Sequence, residues 1–239
     1  MSLQTITSLQ ELQLKVERLK QVLSTKQDKM EVVIAGNVKA GKSTLINAIF
    51  NDDNLCPTGV VRTTVENQMI ESEHYRIMDT PGINANDADT AVAEQGYDRA
   101  DFFLYVHNVV EGEFLAQELS FLKQISNYFS DNEQFIRNTI VILTNVHQLD
   151  EQALTLAKSK IEEQMKLITD KEMSIFEVDS ISYLSALSSN KQLLMEESQI
   201  PALQIALQKA AIHFKGNISN ERATIYAIKK EALSTEIDQ

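Results

Sequence analysis

The most constraining feature of this sequence is a glycine-containing loop pattern that follows a short run of apolar residues. The run at 31–35 is rich in valine and isoleucine and is typical of a buried parallel strand. It is followed by Gly36-Asn37-Val38-Lys39-Ala40-Gly41-Lys42-Ser43, which matches G-x-x-x-x-G-K-[ST] at every defined position. Because such a loop wraps closely around phosphates and leads into a helix N-terminus, the sequence predicts a phosphate-binding loop. We expect Lys42 to contact the β- and γ-phosphates of a nucleotide and the Ser43 hydroxyl to ligate Mg²⁺.

The rest of the chain alternates strand-like and helix-like segments. Strands are predicted at 31–35, 65–70, 75–78, 102–106, 139–143 and 174–178. Helices are predicted at 43–50, along a leucine stripe at 115–129, along a second stripe at 154–168, and after Pro201. Strands that alternate with helices of this length form right-handed crossovers. The predicted fold is therefore an α/β P-loop NTPase domain, a three-layer αβα arrangement around a mostly parallel six-stranded sheet.

Amphipathic helices are also predicted at both ends of the chain. Ser8 and Glu11 form a capping box, and an apolar stripe follows from Leu9 to Leu23. Residues 219–233 also show an apolar pattern with helical spacing. We expect a terminal helix at 1–28, a nucleotide-binding domain at 29–214 and a helix at 215–239 that packs on the first or leads to a stalk.

The composition excludes several classes of function. The 239 residues carry 22 Lys and Arg against 34 Asp and Glu, a net charge of -12, which argues against nucleic acid or an anionic membrane as a partner bound by bulk charge. The single cysteine, Cys56, forms no intramolecular disulfide, and no Cys/His cluster has zinc spacing. With no secretory or membrane-spanning run, a cytoplasmic protein is expected. Glu111, Glu113 and Glu118 are expected on a solvated acidic face.

A second motif lies one strand after the loop. Asp79-Thr80-Pro81-Gly82 follows the strand predicted at 75–78. A carboxylate at the carboxyl end of a parallel strand lies at the same edge as the phosphate loop, so we expect Asp79 to hold Mg²⁺ through a bound water. Gly82 is expected to meet the γ-phosphate with its N–H group and to be a pivot of a moving loop.

With these motifs the chain resembles the translation-factor-like GTPases, most closely the dynamin-like branch that includes bacterial dynamin-like proteins. The resemblance covers roughly residues 30–210 and rests on the loop with Thr44-Leu45-Ile46-Asn47-Ala48, on Pro57-Thr58-Gly59-Val60-Val61-Arg62-Thr63-Thr64, and on the Asp79 motif. It implies GTP and Mg²⁺ as ligands, a switch threonine at Thr64 (Thr63 as second candidate), and a nucleotide-dependent homodimer of G domains.

The base-reading motif departs from that family. The family has [NT]-K-x-D after its fifth strand, whereas this chain has Thr144-Asn145-Val146-His147, in which a histidine replaces the aspartate. A neutral imidazole offers one acceptor instead of a paired set, so guanine selection is weaker or is arranged differently. Asp150 is expected to cap the next helix; it would reach the base only if this loop were rearranged. For the final base-contacting loop we prefer Asp179 and Ser180 to the later Ser185-Ala186 pair.

The residue that orients the attacking water also differs from the family pattern. Ile83 stands where Ras-like GTPases carry the glutamine that orients water, so another side chain, a switch backbone or a partner subunit must position it. Related GTPases place a cation-holding residue or an arginine at the position of Lys39. We expect Lys39 either to neutralise charge near the α- and γ-phosphates or to face solvent.

Together with the resemblance, these observations predict a Mg²⁺-dependent GTPase of dynamin-like type. We expect it to be either the G domain of a longer protein that is peripheral to a membrane through a stalk, or a small relative that lacks this lever. The alternatives are a nucleotide-gated binding module of the ribosome-associated GTPase group with negligible turnover, and, third, an ATP-dependent phosphotransferase. The predicted catalytic residues are Lys42, Thr64 and Lys39, and the metal ligands are Ser43, Thr64 and Asp79. The predicted nucleotide-binding residues are Gly36, Asn37, Val38, Lys39, Ala40, Gly41, Lys42, Ser43, Thr44, Thr64, Gly82, Thr144, Asn145, His147, Asp179 and Ser180.

Overall fold

The computed structural model describes residue 17 and residues 28–57, 68–80 and 96–237. Those residues form one six-stranded sheet in the order β2-β3-β1-β4-β5-β6. Only β2 is antiparallel to its neighbour, β3. The strands are β1 (Met30–Gly36), β2 (Gln68–Glu71), β3 (Tyr75–Asp79), β4 (Phe102–Asn108), β5 (Thr139–Thr144) and β6 (Ile175–Glu177). The predicted α/β class and mostly parallel sheet are confirmed.

Helices cover both faces of this sheet. Short 3₁₀ turns, Val109–Glu111 and Val146–Gln148, follow β4 and β5. The α-helices are α1 (Lys42–Phe50), α2 (Ala116–Ser126), α3 (Asn132–Arg137), α4 (Glu151–Thr169), α5 (Ser180–Ser188), α6 (Gln192–Glu197) and α7 (Ile200–Ile237). Among these, α3, α5 and α6 were not predicted, because their six to nine residues are too short to display a helical stripe.

The alternation of side chains along β1 divides the interior into two apolar cores. Val32 and Ile34 pack on one face with residues of α1, α5 and α7, whereas Val33 and Ala35 pack on the other with residues of α2, α3 and α4. All seven residues of β1 are buried, as expected for a central parallel strand. The sheet is thus a rigid base for the loops at its carboxyl edge.

The two helices predicted after Pro201 and at 219–233 are one continuous helix, α7, and the predicted boundary between residues 214 and 215 falls inside it. Tertiary contacts hold the helix together where the apolar pattern weakens. Arg222 donates to Asp101 Oδ2 at 2.9 Å and to the Lys29 carbonyl at 2.8 Å, beside the amino end of β1. The helix predicted at 1–28 lies outside the described residues apart from Glu17 and Asp28. No helix in the described ranges is long and apolar enough to cross a membrane.

Candidate nucleotide-binding site

The loop between β1 and α1 requires glycine at its first position. Gly36 has φ 150°, and a Cβ atom there would lie 2.1 Å from the Val106 carbonyl oxygen of β4. Gly41 has φ 92° and opens α1 as its N-cap. Lys39, at the outer turn of the loop, has φ 66°, a conformation that costs a residue with a Cβ some stability. The loop therefore turns at the carboxyl edge of the sheet, with Val38 and Lys39 exposed at its outer turn.

The Lys42 side chain folds back over this loop. Its ammonium donates to the carbonyl oxygens of Gly36 at 2.9 Å and Asn37 at 2.8 Å, and the side chain is buried. Burial lowers the pKa of Lys42 to about 8, and the negative charge of Asp79 opposes part of that shift. A buried ammonium held only by neutral carbonyls gains from a nearby anion, so the position favours binding of a phosphate group.

Ser43 and Asp79 bring two oxygen ligands together from different elements. The Ser43 hydroxyl at the start of α1 donates to Asp79 Oδ2 at the end of β3 over 3.0 Å, and the Asp79 side chain is 1% exposed. Thr80 fixes the strand end by donating to the Ile34 carbonyl at 2.6 Å. A hydroxyl beside a carboxylate is an oxygen set of the kind that Mg²⁺ binds while keeping several waters. These residues fit the predicted metal.

Thr144 joins the phosphate loop to the carboxyl ends of β4 and β5, where the base-reading residues are predicted. Its hydroxyl lies 2.7 Å from the Ala40 carbonyl and 3.1 Å from the His107 carbonyl, so one side chain connects the loop with the ends of β4 and β5. The next residue, Asn145, has φ 60° and donates its side-chain amide to Asn108 Oδ1 at 2.9 Å. Asn145 thus supports the end of β4 and replaces the family's lysine with a neutral contact.

His147 and Asp179, which come from different strand ends, lie side by side. His147 Nδ1 is 3.2 Å from Asp179 Oδ2, and the carboxylate is largely buried while the histidine is 39% exposed. Asp179 also caps α5, since Oδ1 accepts from the Ser182 N–H at 3.0 Å and Oδ2 from its hydroxyl at 2.6 Å. The Ser180 hydroxyl is buried and has no hydrogen-bond partner among the described residues. Histidine, carboxylate and hydroxyl are therefore assembled at one edge of the site.

The alternatives at this edge have structural roles. Asp150 Oδ1 accepts from the Ala153 N–H at 2.8 Å and caps α4, as predicted. Ser185 and Ala186 lie inside α5. Val38 is exposed at the outer turn of the loop and Thr44 lies in the first turn of α1. Thr64 and Gly82 fall outside the described residues.

A buried cluster beside the site was missed by sequence reasoning. Glu118 is not on a solvated face: it is 0% exposed, and one carboxylate oxygen lies 2.9 Å from both His107 Nδ1 and the Tyr105 hydroxyl. His107 Nε2 lies 2.9 Å from the Gly112 carbonyl. Burial alone lowers the pKa of His107, but the hydrogen bond and charge of Glu118 raise it overall. For Glu118, burial raises the pKa, whereas its hydrogen bonds from His107 and the Leu115 N–H lower it below the usual range. The spacing of alternate residues 105 and 107 on a strand was the available signal.

Asn47 anchors the segment that leads toward Thr64. Its buried side chain accepts from the Cys56 N–H at 2.7 Å and donates to the carbonyls of Asp53 at 2.9 Å and Cys56 at 3.0 Å. Burial raises the pKa of the Cys56 thiol to about 11, so the thiol stays protonated, as expected for a small apolar residue. These hydrogen bonds tie the segment to α1 as far as Cys56.

A loop of the phosphate-binding pattern after β1, a hydroxyl–carboxylate pair that links α1 to β3, and this strand order define the P-loop nucleotide-binding fold. Within that class, residues 31–146 match the model of the 50S ribosome-binding GTPase family. The match covers just under half of the chain, and the chain has the P-loop GTPase fold.

Two curated relatives are similar in sequence. An uncharacterised protein of Acinetobacter baylyi is 30% identical over 183 residues, 75% of this chain and 42% of that protein. The tRNA modification GTPase MnmE of Salinibacter ruber is 32% identical over 114 residues, 44% of this chain and 24% of that protein. The chain therefore spans less than half the length of each.

The fold is shared with a solved GTPase of low sequence identity. The structure of Toc33 from Arabidopsis thaliana in complex with GDP and Mg²⁺ superposes with a TM-score of 0.57 at 15% identity. The match covers 89% of this chain and 94% of Toc33. At this identity the likeness concerns the fold alone.

Proposed function

We propose that this chain is a Mg²⁺-dependent GTPase of dynamin-like type that hydrolyses GTP to GDP and phosphate. The observation that carries the proposal is the pair formed by Ser43 Oγ and Asp79 Oδ2 at 3.0 Å, next to the buried Lys42 ammonium. Hydroxyl, carboxylate and ammonium are the groups needed to hold a metal–triphosphate, and they come together at one sheet edge.

The phosphate side has the following roles in this proposal. The Lys42 ammonium leaves the carbonyls of Gly36 and Asn37 and binds the β- and γ-phosphates, while the N–H groups at the start of α1 hold the phosphate oxygens. Ser43, Asp79 and Thr64 hold Mg²⁺. When bound, Mg²⁺ supplies positive charge against the charge developing on the phosphates. Gly82 meets the γ-phosphate.

Lys39 is proposed as a charge-neutralising side chain. It is exposed on the outer turn of the loop, where its backbone has φ 66°. An ammonium that reaches the α- and γ-phosphates stabilises charge in the transition state. Replacing Lys39 with alanine is expected to lower turnover on the order of 100-fold at saturating GTP, whereas the same change at exposed Lys123 of α2 leaves turnover unchanged.

Pairing of two G domains is proposed to complete the site, because Ile83 cannot orient water. Dimerization is important for the GTPase activity of the chloroplast translocon component Toc33, a protein of the same fold. The same absence of a water-orienting glutamine also suits a second candidate function, a nucleotide-gated binding module with negligible turnover.

Phosphate release from Mg²⁺-GTP, measured over a wide range of protein concentration, tests the proposal. Turnover per molecule should rise with concentration in the unsubstituted protein and be lost in Lys42→Ala, with Lys123→Ala as the control for removal of a lysine. Slow, concentration-independent release would favour the binding module. Equal release by Lys42→Ala would contradict the GTPase assignment.

A further inference from the structure

The base side of the site lacks the family's aspartate but contains a carboxylate from the neighbouring strand. β5 and β6 are parallel neighbours, and the Val178 N–H donates to the Leu143 carbonyl at 2.8 Å. Thr144, the last residue of β5, and Asp179, two residues after β6, therefore lie at the same edge of the sheet. Because Thr144 contacts Ala40 of the phosphate loop, Asp179 lies one strand away from a residue that contacts this loop.

We propose that Asp179 determines guanine specificity, accepting hydrogen bonds from the N1–H and 2-amino groups of the base, while His147 is a positioning residue for its carboxylate. This inference rests on the proposed function, since it concerns the base of the same nucleotide. Guanine presents two adjacent donors on one edge, and a carboxylate presents two adjacent acceptors. Asp179 therefore supplies the paired acceptors that are missing where His147 replaces the family's aspartate.

Several contacts prepare Asp179 for this task. The Ser182 N–H and hydroxyl fix the two oxygens, and His147 Nδ1 lies 3.2 Å from Oδ2, a distance at which a protonated ring nitrogen donates to a carboxylate. The carboxylate is 13% exposed, so its remaining acceptor positions are partly desolvated and discriminate strongly between matched and mismatched partners.

The adjacent Ser180 independently points to a polar ligand. Its hydroxyl is buried, yet no described residue accepts from it or donates to it. A buried unpaired hydroxyl lowers stability, and function is a common reason for keeping one. The guanine O6 carbonyl lies beside N1 on the same edge of the base and is an acceptor of the kind that this hydroxyl lacks.

Asp150 supplies a matched control. Both aspartates cap a helix by accepting from the N–H three residues ahead, at 3.0 Å for Asp179 and 2.8 Å for Asp150. Asparagine is as good an N-cap as aspartate, so Asp179→Asn and Asp150→Asn should both fold, which thermal unfolding verifies. An asparagine presents one acceptor and one donor, which suits xanthine, whose 2-position carries a carbonyl oxygen instead of an amino group.

The experiment is a titration of GTP and xanthosine triphosphate with Mg²⁺ into the unsubstituted chain and both variants. The unsubstituted chain should prefer GTP. Asp179→Asn should lose affinity for GTP on the order of 10- to 100-fold and gain affinity for xanthosine triphosphate, so that the preference reverses. Asp150→Asn should keep the original preference. Retained GTP preference in Asp179→Asn, or reversal in Asp150→Asn, would overturn the inference.

His147 is tested by a ratio that a purely structural role does not change. Inosine triphosphate lacks the 2-amino group, so discrimination of GTP from inosine triphosphate measures the placement of the carboxylate. His147→Ala should reduce this ratio several-fold, and His147→Asn, which keeps a donor near the position of Nδ1, should restore it. Equal weakening of both ligands would contradict the positioning role. Failure of the unsubstituted chain to bind any triphosphate would instead overturn the proposed function itself.

Discussion

On the phosphate side of the site, one continuous loop supplies the backbone path, the lysine and the hydroxyl, and Asp79 is added from β3, whereas on the base side the groups come from two neighbouring strand ends. From Gly36 to Ser43 the backbone path, the lysine and the hydroxyl are all specified within eight consecutive residues. At the other side, His147 and Asp179 are 32 positions apart in the numbering and meet only because β5 and β6 are adjacent.

The difference indicates that phosphate binding and base recognition tolerate sequence change to different degrees. A phosphate loop works through backbone N–H groups and its own curvature, so its residues cannot be moved to another strand. A base-reading carboxylate needs only a position at the edge of the sheet, and adjacent strand ends offer alternative positions. We infer that the loss of aspartate at His147 is compatible with guanine recognition for this reason.

The largest expected effect lies on the phosphate side and breaks the loop's path. Gly36→Ala places a Cβ atom 2.1 Å from the Val106 carbonyl, in a backbone conformation that is strained for alanine. The free energy of unfolding should fall by about 4 kcal/mol, from strain and overpacking together. Gly216→Ala in α7 is the control, because nothing lies within 4 Å of the added atom and alanine favours a helix. Chemical denaturation of both variants measures the contrast, and equal stability would contradict the close approach of β1 and β4.

The second effect concerns the buried cluster of Tyr105, His107 and Glu118, which packs α2 against β4. Glu118→Ala leaves His107 and Tyr105 without their acceptor and should cost about 3 kcal/mol. The exposed Glu113 is the control, since its replacement should cost little.

The pH dependence of this pair follows from the pKa directions. The pKa of His107 is raised above its usual 6.5, so its contribution is complete below that value and is lost as the pH rises through the raised pKa. The pKa of Glu118 is lowered below 4.5, so its contribution is complete above that value and is lost as the pH falls through the lowered pKa. The stability difference between Glu118→Ala and the unsubstituted chain should therefore be greatest between these two values. A difference that does not vary with pH would contradict a charged pair.

The third effect is a pH dependence of nucleotide affinity that belongs to the phosphate side alone. The pKa of Lys42 in the free chain is about 8, and bound phosphates favour the charged form. GTP affinity should therefore weaken above that pH, by up to about tenfold for each pH unit. In the free chain the lowered pKa has the opposite consequence, because stability gains from this group as the pH rises from about 8 toward 10.5. Titrations at constant ionic strength test the affinity, and a flat profile would show that Lys42 is charged throughout.

The smallest effect tests the link between the two sides. Thr144→Val removes the hydroxyl contacts to the carbonyls of Ala40 and His107, which should cost about 1–2 kcal/mol of stability and weaken GTP binding. Thr155→Val in α4 removes an exposed hydroxyl that donates within its own helix and should be nearly neutral. If both variants bind GTP as well as the unsubstituted chain, the sides are not coupled through Thr144.

Much of the fold was predictable because its signals are local. Each strand was predicted within a few residues, since a buried parallel strand is a short run of β-branched residues between polar turns. The continuity of α7 was not predictable, because the polar residues around Gly216 interrupt its stripe and the helix is held by Arg222 across the amino edge of the sheet. Such a contact joins residues that are far apart in sequence.

The candidate site divides in the same way. The Ser43–Asp79 pair follows from two local motifs and the rule that parallel strands end at one edge. The burial of Glu118 beside His107 depends on the packing of α2 against β4, so composition alone placed this carboxylate in solvent. Asp179 was a predicted base-side residue, but its contact with His147 required the sheet order.

The most direct test of the account is a titration of fluorescent GTP, GDP and ATP analogues into the chain with Mg²⁺, alongside Lys42→Ala. We expect GTP and GDP to bind on the order of tenfold or more tightly than ATP, and all three to lose binding in Lys42→Ala. Equal affinity for ATP and GTP would contradict guanine recognition at the base side. Unchanged binding by Lys42→Ala would contradict the phosphate side and with it the central claim.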